Sequence, residues 1–347
     1  MSRTVRGTKR DAERALAEFV AEAGEPRQLA TAATVSELFT RWLEHAGDDL
    51  SPTTLREYQR LVEKRIEPAL GSIALRRLSS TQIDAFYRAL SLDEGLAPAT
   101  VRQIHAMLRR ALGQAVKWGW VRHNPAVDAS PPRLRRHELA PPDATELQKL
   151  MELADVEWPD FAVALRLLAA TGMRRGELCG LRWSDFSADR RSLVVQRSVT
   201  VAATGRKTIE KDTKTHASRQ LALDAGTLEA LRVHRARVDD RASRCGAQVP
   251  HDAFMFSPVA DGSRPLHPDS ISKAFSRLRG RVGLDHVRLH DLRHMHATQL
   301  LAAGVPVRTV SGRLGHANAA TTLNVYGHFM EASDREAADV VGRLLGA

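Results

Sequence analysis

The chain has 347 residues, enough for two domains rather than one core. Its 51 Lys plus Arg against 41 Asp plus Glu give a formal charge of +10, which favours a polyanionic partner because each neutralised phosphate releases condensed counterions. Two cysteines exclude a disulfide framework and a four-cysteine zinc site. The sequence also lacks a long apolar run and a secretory signal, so we expect a cytoplasmic protein without a membrane contact.

The first third of the chain is typical of helices without strands. Residues 8–23 predict a short amphipathic helix, and a linker completes the segment 1–33. Helices then begin near residues 34, 51, 79 and 98, each after an N-cap or Pro signal, and together they predict an all-α domain over 34–123. Basic residues recur on these helices. Two interpretations are equally supported: a solvated surface, or a surface that faces DNA.

Residues 124–142 contain five prolines and no helical period, which predicts an extended linker between two domains. The linker carries Arg133, Arg135 and Arg136. These arginines either keep the linker soluble or contact the phosphate backbone of DNA.

The second domain, 143–330, is predicted to be mostly helical around a small antiparallel sheet. Strands are expected at 192–202, 206–212 and 219–224, where Val and polar residues alternate, with Thr204-Gly205 as the turn between the first two. The predicted helices lie at 143–154, 159–172, 175–182, 226–240, 268–282, 290–303, 306–313 and 318–326. A C-terminal segment, 331–347, carries a last amphipathic helix at 331–345.

The motif RLHDLRHMHATQLL, at 288–301, could bind either a metal ion or a phosphate. His290 and His294 stand four residues apart, as in helical zinc sites, but Asp291 replaces the Glu that the zincin pattern requires. The permanent charge of Arg293 also opposes a dication, so no metal is expected. The i, i+3 spacing of His290 and Arg293 instead suits a phosphate oxyanion, with a salt bridge as the alternative role for Arg293.

A second arginine lies in TGMRRGEL, where Gly172 is expected to end one helix in a left-handed conformation and Arg174 to begin the next. An arginine at such a junction can point into a cleft. Glu177 is expected either to orient its neighbours or simply to stabilise the start of a helix.

Two further motifs complete the candidate site. In LGHANAATTLNVYGH, His316 follows Gly315, and Tyr326, the single tyrosine of the second domain, comes ten residues later. The predicted helix 268–282 carries Lys273 and Arg277, which favour equally a DNA contact and a solvated face.

The motifs ATGMRRGEL, HDLRH, LGH and TTLNVYGH, in this order over residues 34–330, resemble the tyrosine recombinases, also called phage integrases. The resemblance implies that Arg174, His290, Arg293 and His316 surround a scissile phosphate and that Tyr326 attacks it. Among three hairpin lysines, the context DTKTHASRQLAL matches the general acid of the family best at Lys214. No cofactor is implied.

The resemblance also implies a two-domain DNA clamp, mainly α with a small antiparallel sheet in the catalytic domain. Its partners would be double-stranded attachment sites, three further copies of the chain in a synaptic tetramer, and an excisionase or a DNA-bending factor. Residues 1–33 resemble the last helix of the family's arm-binding domain, and residues 331–347 would be exchanged between subunits. A type IB topoisomerase and a DNA-binding regulator without catalysis are the alternative functions.

Overall fold

A computed structural model describes residues 33–134, 141–202, 207–212, 218–316, 318–326, 339 and 341–345, with the backbone alone at 212, 321 and 324–326. Its contacts divide the chain into two compact units, Met1–Arg136 and His137–Ala347. Within the described ranges no helix is long and apolar enough to cross a membrane.

The first unit is helical in its described part, in agreement with the prediction. Side-chain caps start its helices: Thr34 and Ser79 each form a capping box with the residue three positions later. The buried faces contribute large apolar side chains, including Leu38, Phe39 and Leu108. The helices of this unit are α1 (Val35–Gly47), α2 (Pro52–Leu61), α3 (Glu67–Leu70), α4 (Ser80–Leu92) and α5 (Pro98–Lys117).

One predicted helix of this unit is interrupted by a π-helical turn. The sequence predicts a single helix that starts after the signal at residues 51–54 and runs through Ile66, whereas Val62–Ile66 forms a π-helix between α2 and α3. The N–H of Glu67 donates to the carbonyl of Val62, five residues back, and Pro68 follows without an N–H. The proline ring crowds the carbonyl four residues earlier, which favours the wider turn.

The beginning of the predicted linker packs on the first unit. Ala126 and Ala129 are buried in the core of this unit, and the Asn124 amide donates to the carbonyl of Arg109 at 2.8 Å. The N–H of Ser130 donates to Asp84. Residues 124–130 are therefore attached to the helical unit without forming a helix themselves.

The second unit surrounds α7 (Pro159–Thr171), a helix with eight buried residues. Its other helices are α6 (Ala144–Glu157), α8 (Arg175–Cys179), α9 (Ala225–Arg244), α10 (Pro268–Arg281), α11 (Asp291–Ala302), α12 (Val307–Leu314) and α13 (Ala319–Tyr326). Most of these match the predicted ranges closely. Residues 339 and 341–344 of the predicted last helix are helical, and the rest of that segment lies outside the described residues.

The strands are antiparallel, as predicted, but they form two small sheets. One sheet has the order β1 (Phe186–Ser187), β2 (Ser192–Val195), β5 (Arg219–Ala222), and the other pairs β3 (Arg197–Val201) with β4 (Thr208–Asp212). The predicted strand 192–202 divides at Gln196. The predicted turn at Thr204-Gly205 lies outside the described residues.

The division has a physical cause in a buried carboxylate. Asp185 accepts hydrogen bonds from the side chains of Gln196 and Arg197. Both side chains are drawn toward Asp185, so the strand cannot continue in one sheet across this position.

The left-handed turn at Gly172 yields a test of this packing. Its φ is +64°, and a Cβ there would lie 2.7 Å from Leu314 Cδ2 and 2.8 Å from His296 Cδ2. Gly304 has a similar φ of +75° but open space around it. We expect Gly304→Ala to lower the free energy of unfolding in urea by about 1 kcal/mol, and Gly172→Ala by about 3 kcal/mol, because overpacking adds to the backbone strain. Equal losses would contradict this account.

Candidate active site

The turn after α7 presents Arg174 to a cavity of the second unit. Gly172 is left-handed, as the sequence predicts, and Arg174 is the N-cap residue of α8. The guanidinium of Arg293, on α11, donates from Nη1 to the Gly172 carbonyl at 2.6 Å. This contact joins two motifs that are separated by more than one hundred residues.

Glu177 lies beneath this turn, with only 1% of its side chain exposed. Its Oε1 accepts from Arg174 Nη1 at 2.9 Å, and its Oε2 accepts from the Arg174 N–H at 2.9 Å and from Arg219 Nη2 at 2.6 Å. Burial raises the pKa of this carboxyl, but the hydrogen bond and charge of Arg219, aided by Arg174, overcome burial and lower the pKa overall. Glu177 is therefore a buried anion shared by two guanidiniums.

His290 and Arg293 lie one turn apart at the start of α11, as their spacing predicts. His290 is the N-cap residue, and its ring contacts His294 edge-on with centroids 4.9 Å apart. Burial, followed by the nearby His294, Arg293 and Arg174, lowers the pKa of His290 to about 4. Its imidazole is therefore neutral near pH 7 and can accept a proton.

His316 follows the left-handed turn at Gly315, where α12 ends. Its N–H donates to the Ser311 carbonyl at 3.1 Å, and its Nδ1 lies 2.8 Å from the hydroxyl of Thr322, a fully buried residue on α13. Burial is the first cause that lowers the pKa of His316 to about 4. The other causes are the charges of Arg293, Arg174, Arg219 and His290, so these groups act on one imidazole.

A cavity of about 530 Å³ has Arg174, His290 and Arg293 in its walls. Only 3% of Arg293 is exposed, so its guanidinium is held deep in the wall. An anion that enters this cavity meets two fixed guanidiniums and an imidazole, the donor set that suits a phosphate group. The structure thus brings together Arg174, Glu177, His290 and Arg293, and the charges of Arg174, Arg293 and His290 reach the His316 imidazole.

The other two predicted active-site positions are described only in part or not at all. Tyr326 is the last residue of α13, seven residues after that helix begins and four after Thr322, and the structure gives its backbone alone. Lys214 lies outside the described residues, five positions before Arg219 and the start of β5.

Two of the predicted DNA contacts, Lys273 and Arg277, are not among the residues that line this cavity. Lys273 and Arg277 border a separate cavity of about 740 Å³, together with Arg237 and Arg241 of α9. Helix α10 turns a different face, with Arg279, toward Arg174. Arg133 is exposed on the first unit, and Arg135 and Arg136 lie outside the described residues.

Sequence reasoning missed Arg219 and Thr322. Arg219 is the first residue of β5, and its Nε donates to the Arg313 carbonyl at 2.8 Å while its Nη2 binds Glu177. The sequence shows only that Arg219 stands directly before the alternating apolar and polar residues of a predicted strand. An arginine in such a position usually lies on the surface. Thr322 lies in a predicted helix, and the sequence did not show which of its threonines would face the interior.

The described residues contain no group of three His, Cys, Asp or Glu side chains that could hold a metal ion. The rings of His290 and His294 meet nearly at right angles, 88° between planes, with the cation of Arg293 on the same helix. The chemistry of this donor set fits an anion.

Comparison with known proteins gives matches for both units. Residues 143–332 match the phage integrase family, and residues 34–91 match the N-terminal SAM-like domain of phage integrases. A XerC-like tyrosine recombinase of Caldanaerobacter subterraneus is 27% identical over 90% of this chain and 83% of its own length. The ICEBs1 integrase of Bacillus subtilis is 24% identical over 89% and 82%.

Solved structures share the fold. The Tn1549 transposon integrase in complex with DNA has a TM-score of 0.75 and 21% identity, and the match covers 89% of this chain and 99% of that one. Lambda integrase, as a tetramer bound to a Holliday junction, has a TM-score of 0.61 and 20% identity over 92% and 88%.

The buried position of Glu177 predicts a pH-dependent contribution to stability. At pH 7, Glu177→Gln removes the anion between two guanidiniums and should lower the free energy of unfolding by about 3 kcal/mol. Because the folded pKa is lowered, this contribution is full above the unfolded pKa of about 4.3 and disappears as the pH falls through the folded value. Urea titrations of both proteins from pH 7 to pH 3.5 measure the difference.

Glu229 provides the matched control. It pairs with Arg232 three residues later, but 58% of its side chain is exposed. Glu229→Gln should leave stability unchanged at every pH. An effect of Glu177→Gln that persists undiminished at the lowest pH would contradict the assigned role of its charge.

Proposed function

The chain belongs to the phage integrase family, and from this premise we propose that it cuts and rejoins double-stranded DNA at attachment sites, to integrate or excise a mobile element. The observation that carries the proposal is the convergence of Arg174, Arg293 and His290 on one pocket, with His316 close enough for their charges to lower the pKa of its imidazole. The charge developing on the non-bridging oxygens of a phosphodiester during substitution needs such fixed donors.

The two arginines are held before DNA arrives. Arg174 is fixed through its own N–H and its Nη1 by Glu177, and Arg293 is fixed by the Gly172 carbonyl. Donors that do not have to reorganise stabilise the transition state more than flexible surface cations do. We therefore assign the binding of the scissile phosphate to Arg174 and Arg293.

We assign the covalent step to Tyr326. Its phenolic oxygen bonds to phosphorus while the bond from phosphorus to the 5′-oxygen breaks, which leaves a 3′-phosphotyrosine and a free 5′-hydroxyl. The neutral His290 accepts the phenolic proton, and the ammonium of Lys214 gives a proton to the leaving 5′-oxygen. The reverse attack by a 5′-hydroxyl rejoins a strand, and the phosphodiester energy is retained in the tyrosyl ester.

His316 has the role of a hydrogen-bond donor to a phosphate oxygen. Its pKa is lowered to about 4, so the neutral ring carries one proton near pH 7. Nδ1 lies at the Thr322 hydroxyl, so His316 can donate a hydrogen bond to the phosphate only if the proton is on Nε2. Nδ1 must then accept a hydrogen bond from the Thr322 hydroxyl. We propose that the Thr322 hydroxyl donates to Nδ1 and in this way favours the tautomer with the proton on Nε2.

The remaining assignments complete the proposal. Residues 34–123 form the core-binding domain and 143–330 the catalytic domain, and the linker 124–142 follows the DNA backbone with Arg133, Arg135 and Arg136. Lys273 and Arg277 contact DNA outside the reaction pocket. The lambda integrase tetramer on a Holliday junction supports a tetrameric synapse, in which 331–347 passes between subunits, with an excisionase or bending protein as an accessory partner.

Tyr326→Phe tests the covalent step. The substrate is a nicked duplex with the core sequence read from the junctions of the mobile element, so that the cleaved end diffuses away and the covalent complex accumulates. The variant should form no covalent complex, because it lacks the attacking oxygen, and should bind the duplex as tightly as wild type. Tyr58→Phe is the control, since Tyr58 is buried in the first unit, and it should react normally. Covalent attachment of Tyr326→Phe would refute the mechanism.

Thr322→Val tests the tautomer. The substitution keeps the shape of the side chain but removes the hydroxyl, so His316 can carry its proton on the wrong nitrogen. We expect single-turnover cleavage to slow about 10-fold or more. Thr322→Ser retains the hydroxyl and should cleave at nearly the wild-type rate. If Val and Ser variants cleave equally, Thr322 does not set the tautomer.

A further inference from the structure

Arg219 makes contacts with two parts of the proposed active site. One end of its guanidinium, Nη2, lies 2.6 Å from Glu177 Oε2, and Nε lies 2.8 Å from the Arg313 carbonyl. Only 11% of the side chain is exposed. Because the guanidinium is planar and rigid, its simultaneous hydrogen bonds to a carboxylate and a carbonyl fix the distance between these two acceptors.

The first contact leads to Arg174. The two carboxylate oxygens of Glu177 accept different hydrogen bonds. Oε1 accepts from Arg174 Nη1, and Oε2 accepts from the Arg174 N–H and from Arg219 Nη2. Without Arg219, the whole charge of this buried carboxylate would face Arg174 and would compete with a phosphate for its guanidinium. With Arg219 in place, Glu177 stays compensated when Arg174 engages a phosphate.

The second contact leads to His316. The Arg313 carbonyl is in the last turn of α12, and Gly315 and His316 follow directly. The guanidinium packs so closely on this turn that a Cβ at Gly315 would lie 2.8 Å from Arg219 Nη1. Gly315 is thus required both for its φ of +67° and for the space that Arg219 occupies.

We propose that Arg219 is a positioning residue for strand cleavage: it sets the distance between the phosphate-binding Arg174 and the turn that carries His316. It does so through Glu177 and the Arg313 carbonyl and does not itself touch the phosphate. This inference rests on the proposed function.

Arg197 is the matched control for Arg219. It too is a strand arginine in the second unit, 19% exposed and paired with a nearly buried carboxylate, that of Asp185. Its strand, β3, belongs to the other sheet, and Arg197 does not line the Arg174 cavity. Loss of either arginine removes a cation from a buried carboxylate, so both variants should lose stability, but only Arg219→Gln should change the position of Arg174 and of the turn that carries His316.

The experiment compares Arg219→Gln, Arg219→Lys and Arg197→Gln in the full chain at a temperature where all remain folded. Single-turnover cleavage of the nicked duplex should slow about 100-fold in Arg219→Gln, the loss that a misplacement of about 1 Å causes, and change little in Arg197→Gln. Arg219→Lys keeps the positive charge but cannot donate to both acceptors in the planar geometry of a guanidinium, so cleavage should slow about 10-fold.

A second readout follows His316 directly. Histidine-labelled protein is titrated by NMR, with His316→Gln to assign the resonance. The charges that face this imidazole are those of Arg293, Arg174, Arg219 and His290, and all of them lower its pKa. The pKa of about 4 should therefore rise in Arg219→Gln, stay near wild type in Arg219→Lys, and be unchanged in Arg197→Gln.

The outcomes separate this inference from the proposed function. Wild-type cleavage by Arg219→Gln, or a loss no greater than in Arg197→Gln, overturns the positioning role. Wild-type cleavage by Arg219→Lys shows that charge alone matters and also overturns it. If the wild-type protein itself forms no covalent complex, the proposed function fails, while an unchanged pKa of His316 in Arg219→Gln still overturns the inference.

Discussion

The buried carboxylate of Glu177 is the interaction on which the rest of the site depends. An ion without partners in this position would cost several kcal/mol, roughly enough to remove most of a domain's stability. Glu177 avoids that cost by accepting hydrogen bonds on both oxygens from Arg174 and Arg219. The same hydrogen bonds prevent both guanidiniums from turning toward solvent. The arrangement that keeps the anion stable therefore also holds Arg174 at the wall of the cavity, where we propose that it binds a phosphate.

Burial and nearby positive charge together determine what the histidines can do. Burial lowers the pKa values of His290 and His316, and the charges of Arg174 and Arg293 lower them further, to about 4. The imidazoles consequently remain neutral and can exchange protons, whereas the arginines carry permanent charge. In the proposed mechanism, the arginines therefore stabilise charge, whereas the neutral His290 transfers a proton.

The sequence predicted the parts of the site that depend on local geometry. The left-handed Gly172 before Arg174 follows from helix-ending rules, and the shared face of His290 and Arg293 follows from the helical repeat. The sequence could not predict the role of Arg219, because this arginine at the start of a strand binds a carbonyl that is 94 positions away. The division of the predicted strand at Gln196 has the same origin, since a buried Asp185 outweighs the local preference for extended backbone.

Two long-range contacts of the site have the same kind of acceptor, a backbone carbonyl at the end of a helix. Arg293 donates to Gly172 after α7, and Arg219 donates to Arg313 in the last turn of α12. Carbonyls there lack an intrahelical partner and carry the negative end of the helix dipole, so a guanidinium is a favourable cap. Because a backbone acceptor is independent of residue type, such contacts leave no paired motif in the sequence. Arg293 and Arg219 thus cap helices and at the same time hold parts of the candidate site in place, which couples the stability of the second unit to the geometry of that site.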